Sequence, residues 1–288
     1  MIDTIICKKY KIDKLLGHGK FGTVYKGINL KNTQEVAIKT EDRNNDSIYR
    51  ILKYETTILN YLYSNGCRNI SNVHWYGVVL DKTCLIMNYY SCNLQDYINK
   101  KEVDIIKLNM IMIKCIDILE NIHKNYVLHR DIKPQNFMIK SGELFIIDFG
   151  LSIFYIDENK IHIKKIDSEH IVGTPKYVSY FTHCGDSVSR RNDLISLGYM
   201  YLYLQNRNLP WDNNYITTDN NNVNIDTSIV ETNIRHFKNI FRRREKKWEN
   251  ISKIMSDSIY NYLKYCYYLE YDSMPNYYIL KELFIQTC

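Results

Sequence analysis

The chain has 288 residues, 45% of them hydrophobic and 24% charged, which suits a globular protein with length enough for two small cores. Formal net charge is +6, and the one dense basic run, Arg242-Arg243-Arg244-Glu245-Lys246-Lys247, reads as a solvated helix face or loop rather than a nucleic-acid patch. Eight scattered cysteines without a Cys-x-x-Cys pair, no apolar leader before Tyr10 and no run of membrane-spanning length point to an intracellular protein with reduced thiols, cytoplasmic or nuclear, and speak against a zinc site. A single alanine, Ala37, and 26 tyrosines look like translation of an A/T-rich genome, as in a protist or a large DNA virus; a viral origin would place the protein in the host cell or virion.

In chain order, Tyr10–Leu16 reads as a strand, followed by Gly17-His18-Gly19-Lys20-Phe21-Gly22-Thr23-Val24. Glycines let the backbone fold tightly and bring N–H groups to phosphates with no Cβ in the way. A dinucleotide turn would need a helix to start here, whereas the β-branched and aromatic Thr23–Ile28 favours a second strand, and so a flap over phosphates. Val36-Ala37-Ile38-Lys39 is a third strand, and the small Ala37 leaves room for a flat base beside it. From Ser47 to Tyr63, Ile48, Ile51, Leu52, Ile58, Leu59 and Leu62 recur at helical spacing, with Glu55 inside the stripe. A carboxylate facing a core needs a cation, and Lys39 is the candidate; the alternative is that Glu55 snorkels from the stripe edge.

Two further strands fall near Val73–Val78 and Thr83–Met87, and a long core helix spans Asp104–Tyr126 with Ile105, Leu108, Ile111, Met112, Cys115, Ile118, Leu119 and Ile122 on its apolar stripe. Then comes His129-Arg130-Asp131-Ile132-Lys133-Pro134-Gln135-Asn136, and a hairpin with a Ser141-Gly142 turn that ends at Asp148-Phe149-Gly150. The open ends of a hairpin converge, so the Asn136 amide and the Asp148 carboxylate meet, two hard oxygen donors suited to Mg²⁺. Asp131 is a carboxylate able to take a hydroxyl proton, and Lys133 can meet a phosphate. A buried helix is expected over Asp193–Gln205 and two more near Ser252–Tyr268 and Asn276–Phe284, with an Asn/Thr-rich surface insertion over 212–233.

This set describes phosphoryl transfer from ATP-Mg²⁺ to an alcohol, and the joint string resembles the protein kinases. The resemblance implies an α+β, bilobal fold in one kinase domain: a β-rich N-lobe over about 1–87 with one key helix, a hinge at 88–90 and a mainly helical C-lobe over about 91–288. It also implies that Lys39, paired with Glu55, meets the α- and β-phosphates of ATP, with Asp131, Lys133, Asn136 and Asp148 completing the catalytic set. The nucleotide would be lined by Gly17, His18, Gly19, Lys20, Phe21, Gly22, Val24, Ala37 and Lys39, by the gatekeeper Met87 and by hinge residues Asn88 and Tyr90.

Gly173-Thr174-Pro175-Lys176-Tyr177-Val178-Ser179, then Ser189-Arg190-Arg191-Asn192-Asp193-Leu194 and Leu209-Pro210-Trp211, resemble the casein kinase I superfamily, which includes the vaccinia-related kinases. That likeness implies a Ser/Thr kinase acting on proteins that are acidic or already phosphorylated; a monomer is expected. Thr174 would line the substrate groove and bridge Asp131 and Lys133, Lys176 would lie in the same groove, and Asp193 would anchor the catalytic-loop backbone. Ile153-Phe154 and Glu169 stand where the family carries basic residues, so acidic priming is expected to matter less here, with Lys164 and Lys165 as the compensating cations. The alternative is a pseudokinase or scaffold that keeps nucleotide binding; a small-molecule kinase is disfavoured by the Thr174–His183 segment.

Overall fold

Among the described residues the elements of the first ninety positions are strands, interrupted by one helix, and helices dominate afterwards. The computed structural model describes residues 1–19, 22–43, 51–167, 170–212, 236, 238–255 and 257–285. Lys20, Phe21, Ser47, Ile48, Ser168, Glu169 and positions 213–233 of the expected insertion lie outside the described residues. The elements used below are β1 (Ile5–Ile6), β2 (Tyr10–Gly19), β3 (Gly22–Asn29), β4 (Glu35–Asp42), α1 (Ile51–Ser64), β5 (Val73–Val79), β6 (Lys82–Asn88), β7 (Cys92–Asn93), α2 (Leu94–Lys100), α3 (Ile105–Lys124), β8 (Val127–Leu128), β9 (Phe137–Lys140), β10 (Glu143–Ile146), α4 (Tyr180–His183), α5 (Arg190–Asn206), α6 (Asp257–Tyr268) and α7 (Tyr277–Ile285). The chain divides into two compact units, residues 1–101 with 134–153, and residues 102–133 with 154–288.

The first unit carries an antiparallel sheet in the order β1-β2-β3-β4-β6-β5. One face buries Ile6, Tyr10, Ile12, Val36, Ile38, Cys84 and Ile86. Because side chains alternate along a strand, Ala37 and Lys39 of β4 point to the opposite face. Helix α1 packs on β4, β5 and β6 through Leu52, Glu55, Thr56, Ile58, Leu59 and Leu62. The strand β1 was not foreseen: two residues are too few to show a period, and only pairing of Ile5 with Lys11 and Ile6 with Tyr10 creates it. The β9–β10 hairpin forms as expected around Ser141 and Gly142, both with positive φ of 53° and 81°, the requirement of a tight turn matching strand twist. It belongs to the first unit, where the Asn69 amide donates to the Leu144 carbonyl at 2.8 Å and Ile146 N–H to the Asn69 carbonyl at 2.9 Å.

The second unit is mainly helical. Helix α3 starts where the Asp104 carboxylate accepts the Lys107 N–H at 2.7 Å, and it packs against α5 and α7. Its buried face holds Leu108, Met112, Cys115, Ile116, Leu119 and Ile122. The expected stripe is too long by one turn: Ile105, the first residue of the helix, is 45% exposed, and the buried face begins at Leu108. Helix α5 begins at Arg190, three residues before the expected Asp193, because the Ser189 N–H meets the Asn192 side-chain oxygen at 2.9 Å and starts the helix there. Among the described residues no helix is long and apolar enough to cross a membrane.

These burials predict a contrast within α3. Leu119→Ala should cost about 2–5 kcal/mol in a urea melt, and Ile105→Ala less than about 0.5 kcal/mol. Equal losses would contradict the described packing.

Candidate functional site

Strand β4 delivers Lys39 and helix α1 delivers Glu55 to one point of the first unit. The Lys39 Nζ lies 2.8 Å from Glu55 Oε2 and 2.8 Å from Asp148 Oδ1. Glu55 is 1% exposed and its other oxygen accepts the Phe149 N–H at 3.2 Å. Burial alone would lower the Lys39 ammonium, but Glu55 and Asp148 outweigh it and hold it above the ordinary lysine range. Burial and the nearby Asp148 push the Glu55 carboxyl up, and Lys39 opposes them. Asp148 itself sits in left-handed backbone at φ 68°, ψ 70°, uncommon for a non-glycine residue.

Around this group the β2–β3 hairpin pairs Gly17 with Val24, His18 with Thr23 and Gly19 with Gly22, and His18 Nδ1 lies 2.9 Å from Thr23 Oγ1. Gly22 is required by space and by backbone: its φ is +120° and a Cβ would stand 2.1 Å from the Thr40 carbonyl oxygen. Val24 pairs with Lys39, and Ala37 with Met87, a buried residue at the end of β6. The Asn88 side chain meets His74 Nε2 at 2.8 Å, while the Tyr90 ring packs 5.0 Å from Phe145. At the open end of the β9–β10 hairpin, Ile147 N–H donates to the Asn136 carbonyl at 2.9 Å, which sets the buried Asn136 backbone beside that of Asp148. A carboxamide and a carboxylate there are a fitting donor pair for a small hard cation that keeps phosphate and water oxygens as its other ligands.

In the second unit, Asp131 is the centre of a separate cluster. Its Oδ2 accepts from Lys133 Nζ at 2.6 Å, and its Oδ1 accepts from the Thr174 N–H at 3.0 Å and hydroxyl at 2.7 Å. Lys133 Nζ also reaches Thr174 Oγ1 at 3.3 Å. Gly173 permits this approach, with φ at +107° and a hypothetical Cβ only 2.5 Å from the Arg130 carbonyl. Lys176 is engaged by Asp212 and lies 4.0 Å from the Tyr203 ring centroid. The buried carboxylate of Asp193 accepts the His129 N–H at 2.7 Å and the Arg130 N–H at 2.9 Å, and contacts His123 Nε2 at 3.1 Å. Arg130 has φ 70°, so these bonds hold a backbone conformation that local preference disfavours.

Two contributors escaped sequence reading. His123 lies on the α3 stripe like any packing residue, and its Nδ1 bond of 2.7 Å to the Tyr277 hydroxyl joins positions 154 apart. Lys246 was read as part of a solvated run, yet it is fully buried while its neighbours Arg244 and Lys247 are exposed. A charge run carries no sign of which member turns inward.

The Asp193 network has a pH signature. Burial would raise its carboxyl, but the bond to His123 and the loop amides outweigh burial and hold it below the usual range. A depressed folded-state pKa stabilises the fold above the unfolded value of about 3.9, and that contribution is lost as pH falls through the folded value. Urea midpoints between pH 7 and pH 3 should therefore fall more steeply in the wild type than in Asp193→Asn, which should itself lose about 3 kcal/mol at pH 7.

A family model described as protein kinase domain matches residues 10–272.

Proposed function

The chain belongs to the protein kinase family, with the bilobal α+β kinase fold, ATP and a divalent metal as cofactors and proteins as substrates, and from that premise we propose a Ser/Thr-specific, casein kinase I-like enzyme. The observation that carries this reading is the Asp131–Lys133–Thr174 cluster, a carboxylate held by an ammonium, a hydroxyl and an amide. In this reading Asp131 orients the acceptor hydroxyl and takes its proton, and Lys133 offsets charge on the transferred phosphoryl oxygens. Lys39, fixed by Glu55, holds the α- and β-phosphates of ATP. Gly17, His18, Gly19, Gly22, Val24, Ala37, Met87, Asn88 and Tyr90 would line the nucleotide. Asn136 and Asp148 would hold Mg²⁺, which would neutralise phosphate charge when bound. The lysine two residues after Asp131, rather than an arginine further on, supports Ser/Thr over Tyr acceptors.

Substrate charge is the finer question. Lys176, a candidate groove cation, already has Asp212 and an aromatic face as partners, and Lys165 pairs with Asp186 at 2.9 Å. Cations with internal partners are poor bait for an incoming phosphate, so priming gives little advantage.

Two measurements test the proposal. Asp131→Asn should lower kcat on a Ser peptide by about 10³-fold or more with nucleotide affinity within about twofold. A wild type no faster than that variant would leave a nucleotide-binding scaffold instead. Primed and unprimed versions of one peptide should give kcat/KM values within about threefold, and a strict need for the priming phosphate would reverse the charge argument.

A further inference from the structure

Lys246 has no solvent exposure, and its Nζ bonds two carbonyls of one short stretch of chain. Its Nζ donates to the Pro175 carbonyl at 3.0 Å and the Val178 carbonyl at 2.6 Å, and lies 3.2 Å from His183 Nε2. The rings of Tyr199 and Trp211 face it at 4.9 and 5.1 Å. Burial, then the positive charge of Arg242, push the amine below the ordinary lysine range, and Asp212 opposes them. Such a group is retained at a cost in desolvation, which a methionine of similar volume would avoid. What the nitrogen supplies is a set of hydrogen bonds.

Those bonds converge on Thr174–Val178. The two carbonyls that Lys246 holds bracket Lys176, whose own carbonyl accepts from Trp211 Nε1 at 2.8 Å. The Thr174 carbonyl accepts from Tyr177 N–H at 2.8 Å and Val178 N–H at 3.0 Å. One residue before the Pro175 carbonyl, Thr174 grips Asp131 Oδ1 through both its amide and its hydroxyl. The Lys246 backbone is itself fixed, since its carbonyl accepts from the Tyr267 hydroxyl at 2.6 Å.

We propose that Lys246 is a positioning residue for the protein substrate: an interior amine that pins the Thr174–Val178 segment and so sets the acceptor side of the reaction. The inference rests on the kinase reading above. It assigns Lys246 no contact with substrate or nucleotide; its effect passes through Thr174 and Lys176.

The test uses the full chain with Lys246→Met, which keeps the aliphatic stem and removes the donor. Peptide KM should rise about tenfold while ATP KM stays within about twofold, and amide exchange at Tyr177 and Val178 should accelerate. Trp211→Phe, which deletes the donor to the Lys176 carbonyl and keeps a ring, should raise peptide KM by a smaller factor. A merely structural lysine would reduce the active fraction, cutting kcat with both KM values unchanged; that result, or unaltered exchange at the two amides, overturns the inference. Should Lys246→Met fail to fold, Trp211→Phe decides, and an unchanged peptide KM there overturns it. Failure of the kinase reading looks different, because the wild type itself would then not exceed Asp131→Asn.

Discussion

An ammonium taken out of water must be met by negative charge, and Lys39 is met twice, by Glu55 and by Asp148. Each partner arrives on a different element: the lysine on β4, one carboxylate on α1, the other just past β10. A single buried charge therefore ties a strand, a helix and a hairpin into one arrangement. Removing either carboxylate would leave the cation under-compensated, and breaking such a buried pair typically costs about 3–5 kcal/mol. The Phe149 N–H on the second Glu55 oxygen extends the tie to the residue after Asp148 and leaves the helix carboxylate with a partner on each side. Hydrophobic burial gathers the first unit, but it is non-directional. The ion triad specifies which turn of α1 faces which residue of β4.

In the second unit backbone dipoles share this task with side chains. Asp193 lies in the first turn of α5, where the helix dipole favours an anion, and it takes two backbone N–H groups from the loop that leads to Asp131. Lys246 is the mirror case, an amine met by two backbone carbonyls. In both, a fixed side chain reaches into a segment with no regular secondary structure and supplies the hydrogen bonds that a helix or sheet would otherwise provide. The loop that carries Asp131 and the segment that carries Thr174 are held this way, which lets Arg130 and Gly173 keep positive φ values of 70° and 107°.

What could be read from the sequence follows from the range of the forces involved. The Glu55 position stood out because a carboxylate interrupts an apolar stripe, and the Ser-Gly turn because local backbone preference alone calls for it. The sheet strands from Tyr10 onward, α1, α3 and the two closing helices were legible for the same reason, apart from their ends. Where outcome depended on a distant partner, the pattern was silent. The strand β1 exists only through its pairing with β2, Ile105 is exposed although it fits the helical stripe, and the Asn69 bonds that hold the hairpin look like any polar residue in a loop. Lys246 is the sharpest instance, since nothing in Arg-Arg-Arg-Glu-Lys-Lys marks its fifth member as interior.

The positive charge of the chain is then less outward-facing than its total suggests. The net value is +6, yet Lys39 and Lys246 are buried with carboxylates or carbonyls as partners, and Lys176 and Lys165 are paired with Asp212 and Asp186. An anionic substrate group approaching Lys176 would have to displace an aspartate already in place and separate the ammonium from the Tyr203 ring. The gain from a new ion pair is reduced by the loss of the old one. On the proposed reading, recognition at the Thr174–Val178 segment would come from its shape and rigidity more than from its charge, and an interior amine that stiffens that segment would then matter more than a lysine already paired within it.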